Sequence, residues 1–287
     1  MVTQIIQLTE TPPVRLDRVS ERAGNEVYAK LENTNLTGSH KDRESLAMIR
    51  DMLSKGAKEA VIASRGNAAI SLSALAPCGG IKVNVFVSRS ISRDRLELIS
   101  IFSRKLRVVD GSYYDAVRKS EAFVAKSGGY DCNPGRNRHK LLGDSVIGRE
   151  LLRQLKESPD WVVVPWNNGT LISGVWQGIR EAKPRMVAAV AKESKMMDSI
   201  SGYHRLDGEE LDQTICESQG KVVHIDDMEV SAATVELRME GVFCEPAAAA
   251  SLAAFKKLRM EGGTAVPLIT GSAFKFIKSY TQTPNRR

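Results

Sequence analysis

Short apolar runs alternate along the chain with segments whose apolar residues recur at the period of a helix. The runs are almost wholly apolar, which is typical of strands covered on both faces of a parallel sheet. The predicted strands are EVYAKLE (26–32), AVIAS (60–64), KVNVFVS (82–88), LRVVDG (106–111), WVVVP (161–165), MVAAVA (186–191) and AVPLIT (265–270). The predicted helices include RESLAMIRDMLSKGA, YDAVRKSEAFVAKSGG and SVIGRELLRQLKESPD. This alternation predicts an α/β protein with mainly parallel, doubly covered sheets.

The composition of the chain narrows the possible number of domains, the class of protein and its location. The 287 residues suffice for one or two domains, and 42% hydrophobic with 26% charged residues is typical of a soluble globular protein. No apolar run approaches the about 20 residues of a membrane span, and the first residues lack a secretory signal pattern. The four cysteines stand far apart without a CxxC pair, so neither disulfides nor a metal site are predicted, and the expected location is the cytoplasm.

The net charge of +7 favours an anionic partner. Most basic residues are interleaved with acids, and the exceptions are RNRHK (136–140) and the tail FKFIKSYTQTPNRR. Aromatic residues make up only 6% of the chain, and no nucleic-acid-binding motif is present. The pattern therefore suits the attraction of a small anionic molecule, or simple solubility, better than nucleic acid or a membrane.

The sequence VIASRGNAAISLSALA predicts a strand, a tight turn at residues 64–67 and a helix. Backbone N–H groups that have no partner at the start of a helix, together with the positive end of its dipole, can bind an anion. Gly66 allows a left-handed turn or the close approach of a ligand. This turn is a candidate anion site.

Two further strands end in similar polar turns. WVVVPWNNGTLISGVWQGIRE repeats the strand-turn-helix pattern, and AVPLITGSAFK ends a strand in hydroxyl-bearing residues. The first of these is neither a Walker loop nor a GxGxxG fingerprint, which argues against a nucleotide. Ligands bind at the carboxyl ends of parallel strands, so these turns together predict a ligand with a phosphate and a carboxylate. The residues are Asn167, Asn168, Gly169 and Thr170 in one turn and Thr270, Gly271 and Ser272 in the other.

Lys41 lies in TNLTGSHKDRES, at the start of a predicted helix. An exposed lysine without a function is the simplest interpretation of such a residue. The positive end of a helix dipole disfavours an ammonium ion, however, so this lysine is expected to lose its proton easily. Schiff-base chemistry needs such an amine, and a reactive lysine with phosphate and carboxylate turns indicates pyridoxal 5'-phosphate catalysis.

Five segments resemble the motifs of the fold-type II pyridoxal phosphate enzymes, in the same order and with similar spacing. LTGSHKDRES resembles the lysine motif PTGSFKDRG, ASRGNAAIS the ASxGN turn, and VPWNNGTLISGVWQG the glycine-rich phosphate loop. GVFCEPAAAASLAA resembles the EP-x-x-A helix, and LITGSAFK the strand that ends near the pyridine nitrogen. The resemblance runs from ETPPVRLDRVSERAG to residue 275. Among the branches, SHKDR, NPGR, GVFCEPA and LITG are most similar to threonine synthases.

The resemblance implies a set of cofactor contacts. Lys41 is expected to attach the cofactor covalently and to move the α-proton, and Asn67 to bind the ring oxygen. Thr270 is expected to face the pyridine nitrogen with a neutral hydroxyl, which suits β- and γ-elimination and replacement. The residues expected at the cofactor phosphate are Asn167, Asn168, Gly169, Thr170 and Leu171.

The resemblance also implies a substrate and a reaction. Ser64, Arg65 and Gly66 are expected to hold the substrate carboxylate, and Arg136 in NPGR the leaving phosphate. The implied reaction converts O-phosphohomoserine to threonine and phosphate. The fold-type II resemblance further implies a homodimer, with a discontinuous cofactor domain over 1–42 and 134–287 and a smaller substrate-side domain over 43–133.

Several positions depart from the family pattern. His40 stands where phenylalanine is usual, Arg65 replaces a small hydroxyl residue, and LLGDSVIG, with Asp144 and Ser145, stands in place of EGQKT. The segment 192–230 lacks an AIRIG-like motif, and the residues after Gly271 differ as well. These departures leave alternatives open: β-replacement or β-elimination on O-phosphoserine, serine or threonine, as in cysteate-synthase-like or dehydratase-like enzymes, or a degenerate relative that binds the cofactor without turnover.

Overall fold

The structure is a computed structural model that describes residues 6–276 except 104, 134, 136, 192, 195, 198, 202–207 and 260–261. The chain forms two compact units. The first unit comprises residues 6–9 and 35–143, and the second comprises residues 10–34 and 144–276. No helix in the described part of the chain is both long and apolar enough to cross a membrane.

Strands and helices alternate through most of the chain. The strands are β1 (Pro13–Arg15), β2 (Glu26–Lys30), β3 (Glu59–Ala63), β4 (Lys82–Ser88), β5 (Lys105–Val109), β6 (Tyr130–Asp131), β7 (Trp161–Pro165), β8 (Arg185–Val190), β9 (Lys221–His224) and β10 (Thr264–Pro267). The helices are α1 (Asp17–Ala23), α2 (Lys41–Ser54), α3 (Asn67–Leu75), α4 (Arg93–Phe102), α5 (Tyr113–Ser127), α6 (His139–Gln154), α7 (Thr170–Ile179), α8 (Gly208–Glu217), α9 (Asp227–Met239) and α10 (Pro246–Leu258).

The first unit is built on a four-stranded parallel sheet in the order β5-β4-β3-β6. The inner strand β4 is buried along its whole length after Lys82, as its apolar sequence predicts. The edge strand β5 is largely exposed, and Arg107 on it stacks over the rings of Phe86 and Phe123. The parallel order brings the carboxyl ends of β3 and β4, and the turns that follow them, to one edge of the sheet.

The second unit contains a six-stranded sheet in the order β1-β2-β10-β7-β8-β9. All neighbours are parallel except β1, which runs antiparallel to β2. The alanine-rich helix α10 is buried from Pro246 to Phe255, because its small side chains allow it to lie close to the sheet. On this helix the Ser251 hydroxyl donates to the Leu268 carbonyl at 3.0 Å and so fixes the chain just before Thr270.

The α/β class and the mainly parallel sheets predicted from the apolar runs are confirmed, and each predicted strand is present within a few residues. Strands β1, β6 and β9 were not predicted, because they have only two to four residues and no long apolar run. Helix α6 begins at His139, six residues before the start of the predicted SVIGRELLRQLKESPD helix. A short strand is stabilised by its neighbours in the sheet, which periodicity along the chain does not reveal.

The division into units differs from the predicted domain boundaries. The chain passes from one unit to the other at 9/10, 34/35 and 143/144, whereas the prediction placed the domain boundaries at 42/43 and 133/134. As a result Lys41 belongs to the first unit. The reason is that α2, which Lys41 begins, packs on α3 there, with the Ser45 and Ser71 hydroxyls 2.8 Å apart.

Candidate active site

Lys41 is the first residue of α2, and its side chain remains partly open to solvent. The preceding turn is held by Asp42, whose carboxylate accepts hydrogen bonds from the backbone N–H of Thr37, at 2.7 Å, and from its hydroxyl. Asp42 is fully buried, whereas 24% of the Lys41 side chain is exposed. The amine is therefore anchored at the start of a helix and still reachable by a small molecule.

Lys30 in the second unit provides a contrast. Its fully buried ammonium donates to the Thr11 carbonyl at 2.7 Å, to Glu150 at 2.6 Å and to Gln154 at 2.8 Å. These three acceptors match the three N–H bonds of an ammonium, so the buried charge is fully satisfied. Lys30 therefore holds β2 against α6 within the second unit, and Lys41 is the better candidate for a reactive amine.

The buried carboxylate of Glu44 lies one helical turn after Lys41 and forms an ion pair with its amine. Burial on its own raises the pKa of Glu44, but the nearby Lys41, Lys140 and His40 together lower that pKa below its usual value. A carboxylate beside Lys41 favours the ammonium form. It therefore acts against the helix-dipole effect that the sequence predicted for this lysine.

The turn at residues 64–67 follows β3 in the first unit, as predicted. The Gly66 backbone N–H donates to the Ser64 hydroxyl oxygen at 3.3 Å, and Gly66 is the N-cap of α3 without a side chain to cap it. No acidic residue occupies the first turn of α3. The end of β3 is fixed because the backbone N–H of Ala63 donates to the buried Asn133 at 2.7 Å. This geometry suits an anion at the start of α3.

Two arginine side chains, Arg65 and Arg95, lie in or next to this turn. The Arg65 guanidinium stacks on the ring of Tyr113 at 5.0 Å, and desolvation of the Tyr113 hydroxyl raises its pKa to about 12. Arg95, on the first turn of α4, places a guanidinium nitrogen 3.9 Å from the position that a Cβ on Gly66 would take. The turn therefore combines backbone N–H groups with two permanent positive charges.

The turn at residues 167–171 follows β7 in the second unit and contains no charged residue. Gly169 is the N-cap of α7 and has φ 104°, a conformation that disfavours any residue with a Cβ. Asn167 donates to the Ser199 carbonyl at 2.7 Å. Among the described residues, the side-chain oxygens of Asn167 and Asn168 are buried without a hydrogen-bond partner. Buried polar atoms of this kind require a further partner, which a bound molecule or water can supply.

Thr270 is buried at the carboxyl end of the segment that continues β10. The adjoining Gly271 accepts a hydrogen bond at 3.0 Å from the backbone N–H of Glu245, the residue before α10. The Glu245 side chain makes no capping bond to α10; its carboxylate instead fills the space beside Gly271. The second unit therefore places a hydroxyl and a carboxylate at the end of one strand.

The chain belongs to the family of pyridoxal-phosphate dependent enzymes, which it matches over residues 6–271. Pyridoxal phosphate is therefore its cofactor, and the predicted family and fold type are confirmed. The chain is 28% identical over 308 residues to the threonine synthase of Synechocystis sp., covering 95% of this chain and 79% of that protein. It is 29% identical over 286 residues to the threonine synthase of Methanosarcina acetivorans, covering 88% and 70%. The structure of maize serine racemase has the same fold, with a TM-score of 0.81 at 20% identity, covering 96% of this chain and 91% of that one.

The residues of each unit fit parts of this cofactor. In the second unit, the uncapped start of α7 and its neutral turn suit a phosphate, and the buried Thr270 hydroxyl can face an unprotonated ring nitrogen. In the first unit, Lys41 offers an amine for the aldehyde of the cofactor, and the start of α3 suits a separate carboxylate, which the cofactor itself does not carry. The structure thus groups Lys41, Ser64, Arg65, Gly66 and Asn67 in one unit and residues 167–171 with Thr270 in the other. Arg136 lies outside the described residues.

Arg95 and Glu44 were not among the predicted site residues. Arg95 follows β4, the parallel neighbour of β3, so the rule that carboxyl ends share one edge could have placed it beside the first turn. Glu44 stands where the lysine motif PTGSFKDRG has its last glycine. This departure from the motif could have identified Glu44 as a residue of the site.

Proposed function

We propose that this chain is a pyridoxal phosphate enzyme that carries out elimination and replacement on a phosphorylated amino acid, converting O-phosphohomoserine and water to threonine and phosphate. The lyase class and this particular substrate are both part of the proposal. The curated relatives with 28% and 29% identity bear the name threonine synthase, which supports it.

The observation that carries the proposal is the pair of guanidinium groups beside the turn at residues 64–67. A single α-carboxylate already finds backbone N–H groups and the start of α3 in this turn. Arg65 and Arg95 add two positive charges there. Arginine binds carboxylate and phosphate groups through paired hydrogen bonds, so the arrangement fits a substrate with a second anionic group.

Different residues of the chain have different roles in such a reaction. The bound cofactor supplies the electron sink that stabilises negative charge at the substrate α-carbon. Lys41 holds and moves the proton at that carbon through Nζ, and Ser64, Gly66 and the start of α3 orient the carboxylate. The start of α7 binds the cofactor phosphate. Thr270, as a neutral hydroxyl, leaves the ring nitrogen without a proton, which favours elimination and replacement over reactions that need a stronger electron sink.

A substrate panel tests the proposal. Purified protein loaded with pyridoxal phosphate is incubated separately with O-phosphohomoserine, O-phosphoserine, serine and threonine, while phosphate, threonine and oxo-acid release are measured. We expect threonine and phosphate in equal amounts from O-phosphohomoserine, and no product from the Lys41→Ala variant. Phosphate release from O-phosphoserine alone would move the reaction to β-elimination or β-replacement. Oxo acid from serine or threonine alone would replace the proposal with a dehydratase, and cofactor binding without turnover of any substrate would indicate a degenerate relative.

A further inference from the structure

The first turn of α2 carries a buried ion pair at the position of the reactive lysine. Only 2% of the Glu44 side chain is exposed, and its carboxylate bonds directly to the Lys41 amine three residues earlier. The family motif has a glycine at this position, so the carboxylate is a feature of this chain rather than of the motif it resembles. A fold requirement does not explain it, because glycine is compatible with the same motif.

Two further basic side chains face this carboxylate. His40 Nε2 lies 3.9 Å from the Glu44 carboxylate. Lys140, on α6, is 4% exposed and donates to the Cys132 carbonyl at 2.8 Å, and its charge acts on Glu44 as well. Glu44 is therefore the shared anion of several cations, and the Lys41 amine bonds to it directly.

Other charged and titratable groups lie on the elements that surround this carboxylate, and they include a second buried acid, Asp144. Helix α3, which packs on α2, contains no titratable side chain in Asn67–Leu75. On α2 itself, Asp42 is engaged by Thr37, and Arg43 is buried. On α6, Asp144 follows Lys140 by one helical turn and is also buried, and His139 pairs with Asp51 at 3.3 Å.

We infer that Glu44 is a positioning residue that holds the Lys41 amine as an ammonium ion and so sets the pH above which the protein captures its cofactor. Capture requires the ammonium to release one proton to solvent. The neutral amine then adds to the aldehyde carbon of the cofactor, and one water leaves as the C=N bond forms. A carboxylate in contact with the amine opposes the first of these steps. This inference rests on the proposed role of Lys41.

Burial makes the effect of this pair larger than that of a surface pair. The exposed pair Arg93–Glu97, with 89% and 57% of the two side chains open to water, is screened by solvent. The Glu44 carboxylate has almost no contact with water, so its charge acts on the amine with little screening. An opposite charge in contact shifts a pKa by about one to three units.

The experiment measures how the rate of cofactor capture depends on pH. Protein freed of cofactor is mixed with pyridoxal phosphate across a range of pH, samples are reduced with borohydride, and the adduct on the Lys41 peptide is quantified by mass spectrometry. For Glu44→Gln we expect the pH midpoint of capture to fall by about one unit or more. Glu236→Gln, which removes the same charge from the pair with Lys256 on the surface of the second unit, should leave the midpoint unchanged.

A variant with the opposite expected sign covers the case in which Glu44→Gln does not fold. Lys140→Met keeps the apolar length of the side chain and removes a cation that competes for Glu44, so the midpoint should rise. Unchanged midpoints in both variants, with the adduct still on Lys41, would overturn the role of Glu44. An adduct on another lysine in the unaltered protein, or no adduct, would instead refute the proposed role of Lys41, so the two failures are distinguishable.

Discussion

The two strand-turn-helix sites of this chain share one backbone plan but differ in charge. Each turn follows a buried parallel strand and leads into a helix that has no side-chain cap and no acid in its first turn. The turn at residues 64–67 is accompanied by Arg65 and Arg95, whereas the turn at residues 167–171 has only amides, a hydroxyl and the left-handed Gly169. Both can bind an anion through backbone N–H groups.

The difference indicates two kinds of ligand. A neutral turn with a fixed left-handed residue holds a phosphate through geometry alone, which suits a cofactor that stays bound through every turnover. A turn flanked by permanently charged guanidinium groups suits a substrate whose charge must be recognised. Variants in the two turns separate these roles, each against a control variant in the same unit or of the same residue type.

The largest expected effect is on the charged turn. Arg65→Gln should raise KM for a phosphorylated substrate roughly ten- to a hundredfold, because a charge-assisted contact contributes about 1.5–3 kcal/mol. Arg65→Lys should recover only part of this loss, since lysine lacks the planar fork. Steady-state kinetics with phosphorylated and neutral amino acids measure the effect, and turnover of serine should change little.

Arg107 provides the matched control for Arg65. Its guanidinium also stacks on aromatic rings of the first unit, 4.8 Å from the centre of Phe123, but on an edge strand. Arg107→Gln should leave KM unchanged for every substrate. Equal losses on phosphorylated and neutral substrates in Arg65→Gln would mean that Arg65 holds the common carboxylate or the fold.

An intermediate effect is expected on the neutral turn. Gly169→Ala places a Cβ at φ 104°, which costs about 1–2 kcal/mol in the left-handed region and should weaken cofactor affinity by roughly tenfold. Titration of cofactor-free protein, followed by absorbance, measures this affinity. Gly128→Ala, at φ 68° after α5 with no atom within 4 Å of the added Cβ, should lower thermal stability without changing affinity. The same loss of affinity in both variants would show a general effect on stability.

The smallest expected effect separates two roles within the charged turn. Asn67, the first residue of α3, is predicted to bind the cofactor rather than the substrate, so Asn67→Ala should reduce cofactor affinity several-fold. Its free energy of unfolding should fall by about 1 kcal/mol or less, as for a single hydrogen bond. Asn84→Ala, which removes a 2.8 Å bond to Glu59 inside the sheet, should lower stability and spare affinity. A collapse of stability in Asn67→Ala at unchanged affinity would make this asparagine a structural residue of the turn.

Much of the fold could be predicted from the sequence because its signals are local. Buried parallel strands need continuous apolar runs, and the runs at 82–88 and 161–165 became β4 and β7 with the predicted bounds. The sequence also predicted the turns at residues 64–67 and 167–170 and the helix start at Lys41. Glycine and small polar residues between a strand and a helix are typical of tight turns. The short strands β6 and β9 were not predicted, because they form only through pairing with neighbouring strands that are distant in the sequence.

The chemistry around these elements was decided only by the tertiary structure. The sequence places Lys41 at a helix start and predicts from the dipole an easily lost proton, but the buried carboxylate of Glu44 beside it acts against that effect. Arg95 likewise joins the turn at residues 64–67 through the pairing of β3 with β4. Backbone conformation follows from neighbouring residues along the chain, whereas the strength of a charge depends on which distant groups exclude water from it.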